Sequence, residues 1–313
     1  MIGACAALAA ALAQGAAAET RVTYKSAKVG SSYYQMAVEI AEAMDKATGG
    51  EISVTVEESQ GSVQNVMEVR GRGGDYVFTT PPGLVAQAQA ALGPFEGRAD
   101  PAFEGIRALF PIPGLTMHFV MSAESGAASF EDLAGKTLLL GKGSFGATEG
   151  EKYLELFGLA DAVEIADVEL SNAVPALQNG QIDGFVTAGS FPAPNVIEAA
   201  ATTDVTLLSL TEDQVAQTGQ SRLVIPAGTY PGQDEDVLTT SLPVIAYTTT
   251  GMDEETAYQL TRTFWESQAA LESTAPWWAG VDESLLGNVE GPFHPGALRY
   301  YEEAGMEVGG AGG

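Results

Sequence analysis

The chain has 313 residues, 45% hydrophobic and 8% aromatic, which suffices for two domains of ordinary size with a real core and excludes a disordered segment. Fourteen Lys and Arg stand against 41 Asp and Glu, a formal charge of −27 with a pI near 4.1. That balance excludes nucleic acid and anionic membrane as partners, because both demand a basic footprint; the carboxylates read as a solvated acidic surface.

The opening run MIGACAALAAALAQGAAAET is largely apolar, rich in alanine, and charged only from Glu19. Ala16 and Ala18 meet the small-residue demands of signal cleavage, although the usual basic start is missing. Residues 1–18 are therefore expected to be a cleavable signal peptide, and the mature protein to begin at Glu19 in the periplasm. The run is too short for a good spanning helix. Cys5, the single cysteine, lies inside it, so the mature chain is expected to have no disulfide, thiolate nucleophile or cysteine-based metal site.

From Thr20 strand-like and helix-like pieces alternate. Arg21 to Lys25 reads as a strand, and Tyr33 to Ala47 as an amphipathic helix carrying Met36, Ile40, Ala43 and Met44 on one side. Glu51 to Glu57 alternates cleanly as a second strand. Val63 to Arg70 is helical, and Tyr76 to Thr79 is a short buried strand ending at Pro81-Pro82. This order predicts a parallel sheet with helices on both faces.

The pattern then restarts. Strands are expected at Leu115–Ser122 and Leu138–Gly141, a helix at Glu149–Phe157, a strand at Val163–Val168, a helix at Ala173–Asn179 and a strand at Asp183–Thr187. Helices at Asp253–Glu272 and Pro295–Ala304 close the chain, followed by a glycine-rich tail over 306–313 that should fray. Two α/β units in series place a cleft between them.

Ligands of open parallel sheets sit beyond the carboxyl ends of strands, beside helix N-termini. Three small polar segments fall there: SAKVGSS (26–32), SQGS (59–62) and GKGSFGAT (141–148). Each precedes a helix, whose first N–H groups lack an intrahelical partner and so suit an anion. Ser32 is expected to cap the first helix, and Ser62 the second, with Asn65 in its first turn.

The candidate ligand-binding residues are Ser26, Gly30, Ser31, Ser32, Tyr33, Tyr34, Gln60, Ser62, Asn65, Lys142, Ser144, Phe145, Gly146 and Thr148. Thr79, Thr80, Thr187 and Gly189, at or just past the ends of two strands, join them. Neighbours on a helix do not share a face, so one of Tyr33 and Tyr34 should pack inward while the other reaches the cleft. Lys142 is the cation available to help neutralise an anion.

An enzyme would need a base, a nucleophile or a metal. His118 lies in an apolar strand and reads as a hydrogen-bonded structural residue; His294 precedes Pro295-Gly296 and reads as a helix cap. Asp183 is expected to tether a loop, and Trp277-Trp278 to pack on the outer face of a lobe. The chain shows no HExxH or GxSxG, and GKGSFGAT lacks the Gly-Lys-Ser/Thr order of a nucleotide loop. No catalytic residue, metal or cofactor is expected.

Taken in order, several short stretches resemble the TAXI-type solute-binding proteins of tripartite ATP-independent periplasmic (TRAP) transporters. These are SSYY (31–34), QGSVQN (60–65), DLAGK (132–136) followed by GKGS (141–144), NGQIDG (179–184), and HPGA (294–297) with Tyr300-Tyr301. The resemblance runs from about Val22 to Gly305. It rests on order and spacing, since no single motif is specific. Lys25 and Ser31 stand where the family usually has glycines, and Phe145 at a position commonly glycine, where its ring would narrow the pocket or stack on the ligand.

The resemblance implies an α/β periplasmic-binding-protein type II fold, with two lobes, a central cleft and a hinge. It places lobe I at 19–115 with 252–313 packing back on it, lobe II at 116–251, and the hinge crossings near Ile112–His118 and Gly251–Asp253. It also implies a monomeric clamp that carries a small carboxylate-bearing solute, an organic acid or acidic amino acid, to TRAP permease membrane subunits without chemistry. An enzyme of the same fold acting on a small anion, or a stand-alone sensory domain, are the other readings.

Overall fold

The computed structural model describes residues 20–142 and 144–308. The expected signal peptide with Cys5, the start at Glu19 and residues 309–313 of the tail lie outside them. The first unit runs β1 (Thr20–Lys25), α1 (Ser32–Thr48), β2 (Ile52–Glu57), α2 (Ser62–Glu68), β3 (Tyr76–Thr80) and α3 (Pro82–Gln89). A long strand, β4 (Ile106–Ser122), leads to β5 (Thr137–Leu139), α4 (Phe145–Leu156), β6 (Glu164–Ala166), α5 (Ala173–Gln178), β7 (Gly184–Gly189) and α6 (Pro194–Thr202). Then come β8 (Val205–Leu207), α7 (Glu212–Thr218), β9 (Ser221–Ile225), β10 (Val237–Thr249), α8 (Glu254–Glu266), α9 (Gln268–Glu272) and α10 (Pro295–Ala304).

The strands are ordered β2-β1-β3-β10-β4-β7-β5-β6, with β8 added to β4 and β9 to β10. The two expected parallel groups are present: β1 pairs with β2 and β3, and β5 with β6 and β7. The sheet as a whole is mixed, because further strands join these groups in the opposite sense. β10 is antiparallel to β3, β4 and β9, and β4 is antiparallel to β7 and β8.

β4 and β10 thus run through both groups and join them. Where they pair, the register slips between Leu242 and Val244, opposite Leu115 and Ile112. Pro113-Gly114 and Pro243 sit at this irregularity. Proline cannot donate to a ladder, and a bulge is where a sheet interior accepts it. Gly114 is required there, since a Cβ would lie 2.7 Å from Ser241 Oγ and 3.1 Å from the Leu242 carbonyl oxygen.

The helices bury the faces their spacing predicts. α1 turns Met36, Ala37, Ile40 and Met44 inward and ends at Gly49 in the left-handed region. α8 is expected to continue to Glu272 but breaks at Ser267 into α8 and α9. Along β4 the period of two sends Phe119 and Met121 into the main core and Val120 into a second cluster with Leu139, Val174 and Phe185. No helix among the described residues is long and apolar enough to cross a membrane.

Trp277 and Trp278 depart from the expected outer-face packing. Trp278 is completely buried, and the two indoles donate to the same Glu39 Oε2 of α1, at 3.0 and 2.7 Å. They fasten the C-terminal region to the first unit.

Candidate functional site

The carboxyl ends of β1, β2, β5 and β7 deliver the chain to the N-termini of α1, α2, α4 and α6. These four ends line one cavity of about 220 Å³. It is smaller than the roughly 300–1,000 Å³ of drug-sized sites, so it suits a small solute. A larger cavity, about 710 Å³, lies against Pro111–Gly114 and Ser241–Ile245. Half of its lining residues are proline or aliphatic, and no α-helix starts among them. The smaller cavity, where polar groups converge, is therefore the candidate site.

Of the expected residues, Gly30, Ser31, Ser32, Tyr33, Gln60, Ser62, Lys142, Ser144, Phe145, Gly146, Thr187 and Gly189 line this cavity. Ser26, Tyr34, Asn65, Thr79, Thr80 and Thr148 do not. Thr148 lines a separate groove with Lys142, Glu151 and Asp167, because the helix starts at Phe145, four residues earlier than the periodicity indicated.

The caps differ from the expectation in a consistent way. Ser31, not Ser32, caps α1: its Oγ accepts from Tyr34 N at 3.3 Å. Ser32 is released from capping, and its Oγ accepts from the backbone N–H of Ser190 at 3.1 Å, across the cavity. Gly61, not Ser62, occupies the cap position of α2, leaving the Ser62 hydroxyl uncommitted to a cap. Ser144 is a true cap, accepting from Ala147 N at 3.0 Å.

Residues absent from the lining hold the floor together. Asn65 Nδ2 donates to the carbonyls of Ser26 (2.7 Å) and Thr79 (2.8 Å), tying the ends of β1 and β3. Ser26 Oγ donates to the Tyr33 carbonyl at 2.6 Å, and Thr79 Oγ1 to Tyr24 Oη at 3.0 Å. Of the tyrosine pair, Tyr33 both lines the cavity and is buried, donating to the Pro113 carbonyl at 3.1 Å; Tyr34 is half-buried and away from it. Burial raises the Tyr33 phenol well above its ordinary range, so it stays neutral and a donor.

Two glycines admit close approach. A Cβ on Gly146 would lie 3.0 Å from Ala188 Cβ, and one on Gly189 would lie 2.7 Å from Ser32 Oγ. Phe145, 8% exposed, forms part of the wall and of the main core.

Lys142 does not turn its charge to the cavity unopposed: Nζ pairs with Asp167 at 2.8 Å, both side chains largely exposed. The reading by sequence missed Lys28, Asn195 and Glu198, which also line the cavity. Lys28 lies inside the 26–32 segment and pairs with Glu169. Asn195 and Glu198 belong to α6, an unforeseen helix whose one local signal was Pro194 at its first turn.

His118 is buried behind the cavity in a defined tautomer. The Thr116 carbonyl can only accept, so Nδ1 (3.1 Å) carries the hydrogen, and Nε2 accepts from Tyr230 Oη at 2.8 Å. Tyr230 Oη in turn accepts from Ala193 N at 2.9 Å. Desolvation by burial pushes the imidazole down to about 4, so it is neutral at pH 7. His294 caps α10, accepting from Gly296 N through Nδ1 at 3.2 Å. Asp183 Oδ2 accepts from Thr137 N at 2.8 Å and tethers β5. Among the described residues no group of three or more His, Cys, Asp and Glu is placed to hold a metal ion.

The model of the NMT1-like family matches residues 25–305. Among solved structures, the periplasmic binding protein BugD superposes with a TM-score of 0.58 at 13% identity, over 92% of this chain and 98% of its own. MatC from Rhodopseudomonas palustris, solved with bound malate, gives 0.55 at 14% identity, over 82% and 88%. A protein from Bordetella bronchiseptica RB50 gives 0.52 at 18% identity, over 92% and 83%. At these identities the likeness establishes the fold. The chain belongs to the NMT1-like family and is built on the two-lobed α/β fold of periplasmic binding proteins.

Proposed function

We propose that the protein is the periplasmic solute-binding component of a transporter, holding a small carboxylate-bearing solute in the cavity between its lobes. The observation that carries this is the convergence of helix starts from both sheet groups, at Ser31–Tyr33, Gly61–Ser62 and Ser144–Gly146, on one small cavity. The N–H groups of Ser31, Gly61 and Ser144 are held within their own loops. It is the first-turn N–H groups that follow them, at Ser32, Tyr33, Ser62, Phe145 and Gly146, with the positive dipole ends, that stabilise an anion where lysines do not. Such donors must converge, because a buried carboxylate left unpaired costs several kcal/mol.

The two histidines and Asp183 are committed to structural hydrogen bonds, which supports carriage rather than conversion. Bound malate in MatC, a protein of like fold, agrees with a small carboxylate as cargo.

In this reading residues 1–18 direct export, 19–115 and 252–313 form one lobe, and 116–251 form the other. The TAXI-like motifs point to TRAP permease subunits as the acceptor. Purified protein screened by thermal shift should melt higher with one or more of L-malate, L-glutamate and related acids, because a ligand of the native state stabilises it by mass action. Stabilisation by neutral sugars or polyamines with no response to any carboxylate would overturn the ligand class.

A further inference from the structure

Lys28 sits on the loop between β1 and α1, in the first unit. That loop is held from its own side: Ser31 donates to the Lys28 carbonyl through N (3.1 Å) and Oγ (2.7 Å), and Val29 N donates to Glu58 at 3.2 Å. The Lys28 side chain instead reaches over the cavity to Glu169, on the loop between β6 and α5 of the second unit. Beside it, Ser190 N donates to Ser32 Oγ, a second contact between the same two units, and only a glycine at 189 leaves room for it.

We propose that Lys28 and Glu169 form a closing latch across the mouth of the cleft, distinct from the groups that hold the ligand. The inference rests on the cavity being a ligand clamp. Its logic is electrostatic. In a chain of net charge −27 the two lobes repel, and closing brings acidic surfaces together. An opposite-charge pair on the rim offsets that repulsion only in the closed state. Because Glu169 already holds the ammonium group, Lys28 is not available to a carboxylate ligand. The other lysine of the cavity is different: Lys142 and Asp167 both belong to the second unit, so their pairing does not depend on closure.

The test follows lobe distance without ligand, by energy transfer between dyes on Lys46→Cys and Glu155→Cys, two exposed sites on α1 and α4, in a Cys5→Ser background. Salt from about 0.01 to about 1 M screens both the pair and the repulsion between lobes, so the pair is read against Glu169→Gln. The parent-to-variant quotient of closed-to-open ratios is expected to fall about two- to five-fold over that range, a magnitude typical of half-exposed pairs. Glu169→Gln and Lys28→Glu should each be more open than the parent at low salt, while the Lys28→Glu, Glu169→Lys double variant recovers closure. Asp167→Asn removes the same charge nearby and should leave the ratio unchanged. Gly189→Ala, whose Cβ collides with Ser32 Oγ, should open the protein at every salt concentration.

A closed population equal in the parent and in Glu169→Gln at low salt overturns the latch. With L-malate as probe, the sign separates two roles for Lys28: Glu169→Gln weakens binding if the pair is a latch, and tightens it if Lys28 is the counter-ion of the ligand. Failure of malate and of the other acids to bind overturns the proposed ligand class, whereas the ligand-free ratios still decide the latch.

Discussion

Ser31 and Ser32 are neighbours of the same type with different work, and so are Ser62 and Ser144. Ser144 spends its hydroxyl on Ala147 N, so Ser144→Ala should lower stability by about 1 kcal/mol, the usual cost of a lost cap. In the proposed site it should weaken ligand binding as well, by roughly 0.5–3 kcal/mol. Ser62 has no capping bond, because Gly61 holds that position. Ser62→Ala should therefore leave the melting temperature unchanged while costing similar affinity. Paired melting curves and calorimetry check this; a lowered melting temperature with intact affinity in Ser62→Ala would make that hydroxyl structural. Phe145→Gly removes a wall and part of the core together, so it should admit larger ligands and melt lower. A variant with the parent's ligand range would place the ring outside the binding surface.

At the scale of elements, Asn65 shows how a helix fixes the strands beneath it. Its amide donates to two carbonyls at the ends of β1 and β3, so it sets the spacing from which the α1 and α2 starts face the cavity. Asn65→Asp replaces those donors with a carboxylate facing two carbonyl oxygens in a fully buried place. That should destabilise by more than the roughly 1–3 kcal/mol of an unsatisfied buried group, and more than Asn65→Ala does. Denaturant unfolding of the two variants and the parent decides; midpoints equal to the parent's would mean that the tie is dispensable.

The element scale also shows what spacing can and cannot tell. α1 and α10 were legible because their apolar rows are local, and in α10 the His294 cap as well, whereas the α1 cap falls one residue before the expected Ser32. The first half of β4 was not, since Pro111 and Pro113 suggest a break; they are accepted because a bulge opposite β10 absorbs the missing donors. β10 itself, Val237–Thr249, passed unread because its aliphatic and hydroxyl residues follow no clean alternation, buried by neighbours on both sides.

For the molecule as a whole, the buried His118 makes stability depend on pH. Its folded value, about 4, lies below the ordinary 6.5, so between these the unfolded chain takes up a proton that the folded one refuses. The contribution is present in full above pH 6.5 and is lost as pH falls toward 4, by about 3 kcal/mol at most, taking ~1.4 kcal/mol per pH unit. His118→Gln, which can still donate to Thr116 and accept from Tyr230, should flatten that slope. Parallel stability–pH curves for the two proteins would contradict the assignment.

The two-lobed fold further predicts a monomer whose radius of gyration shrinks when a proven ligand is added. Scattering without compaction would argue against a clamp that closes.

Composition and local pattern by themselves determined the acidic surface, the two parallel β/α groups, the glycine and serine segments at helix starts, and the structural character of both histidines. Each of these depends on the period of a helix or strand, on a capping preference, or on net charge, and all are properties of residues near one another in sequence. Which serine caps and which crosses the cavity, the pairing of Lys28 with Glu169 and Lys142 with Asp167, and the joining of the two groups by β4 and β10 were decided only in three dimensions. A hydroxyl or a charge takes the partner that the fold brings within reach, which lies 158 residues away for Ser32 and 141 for Lys28.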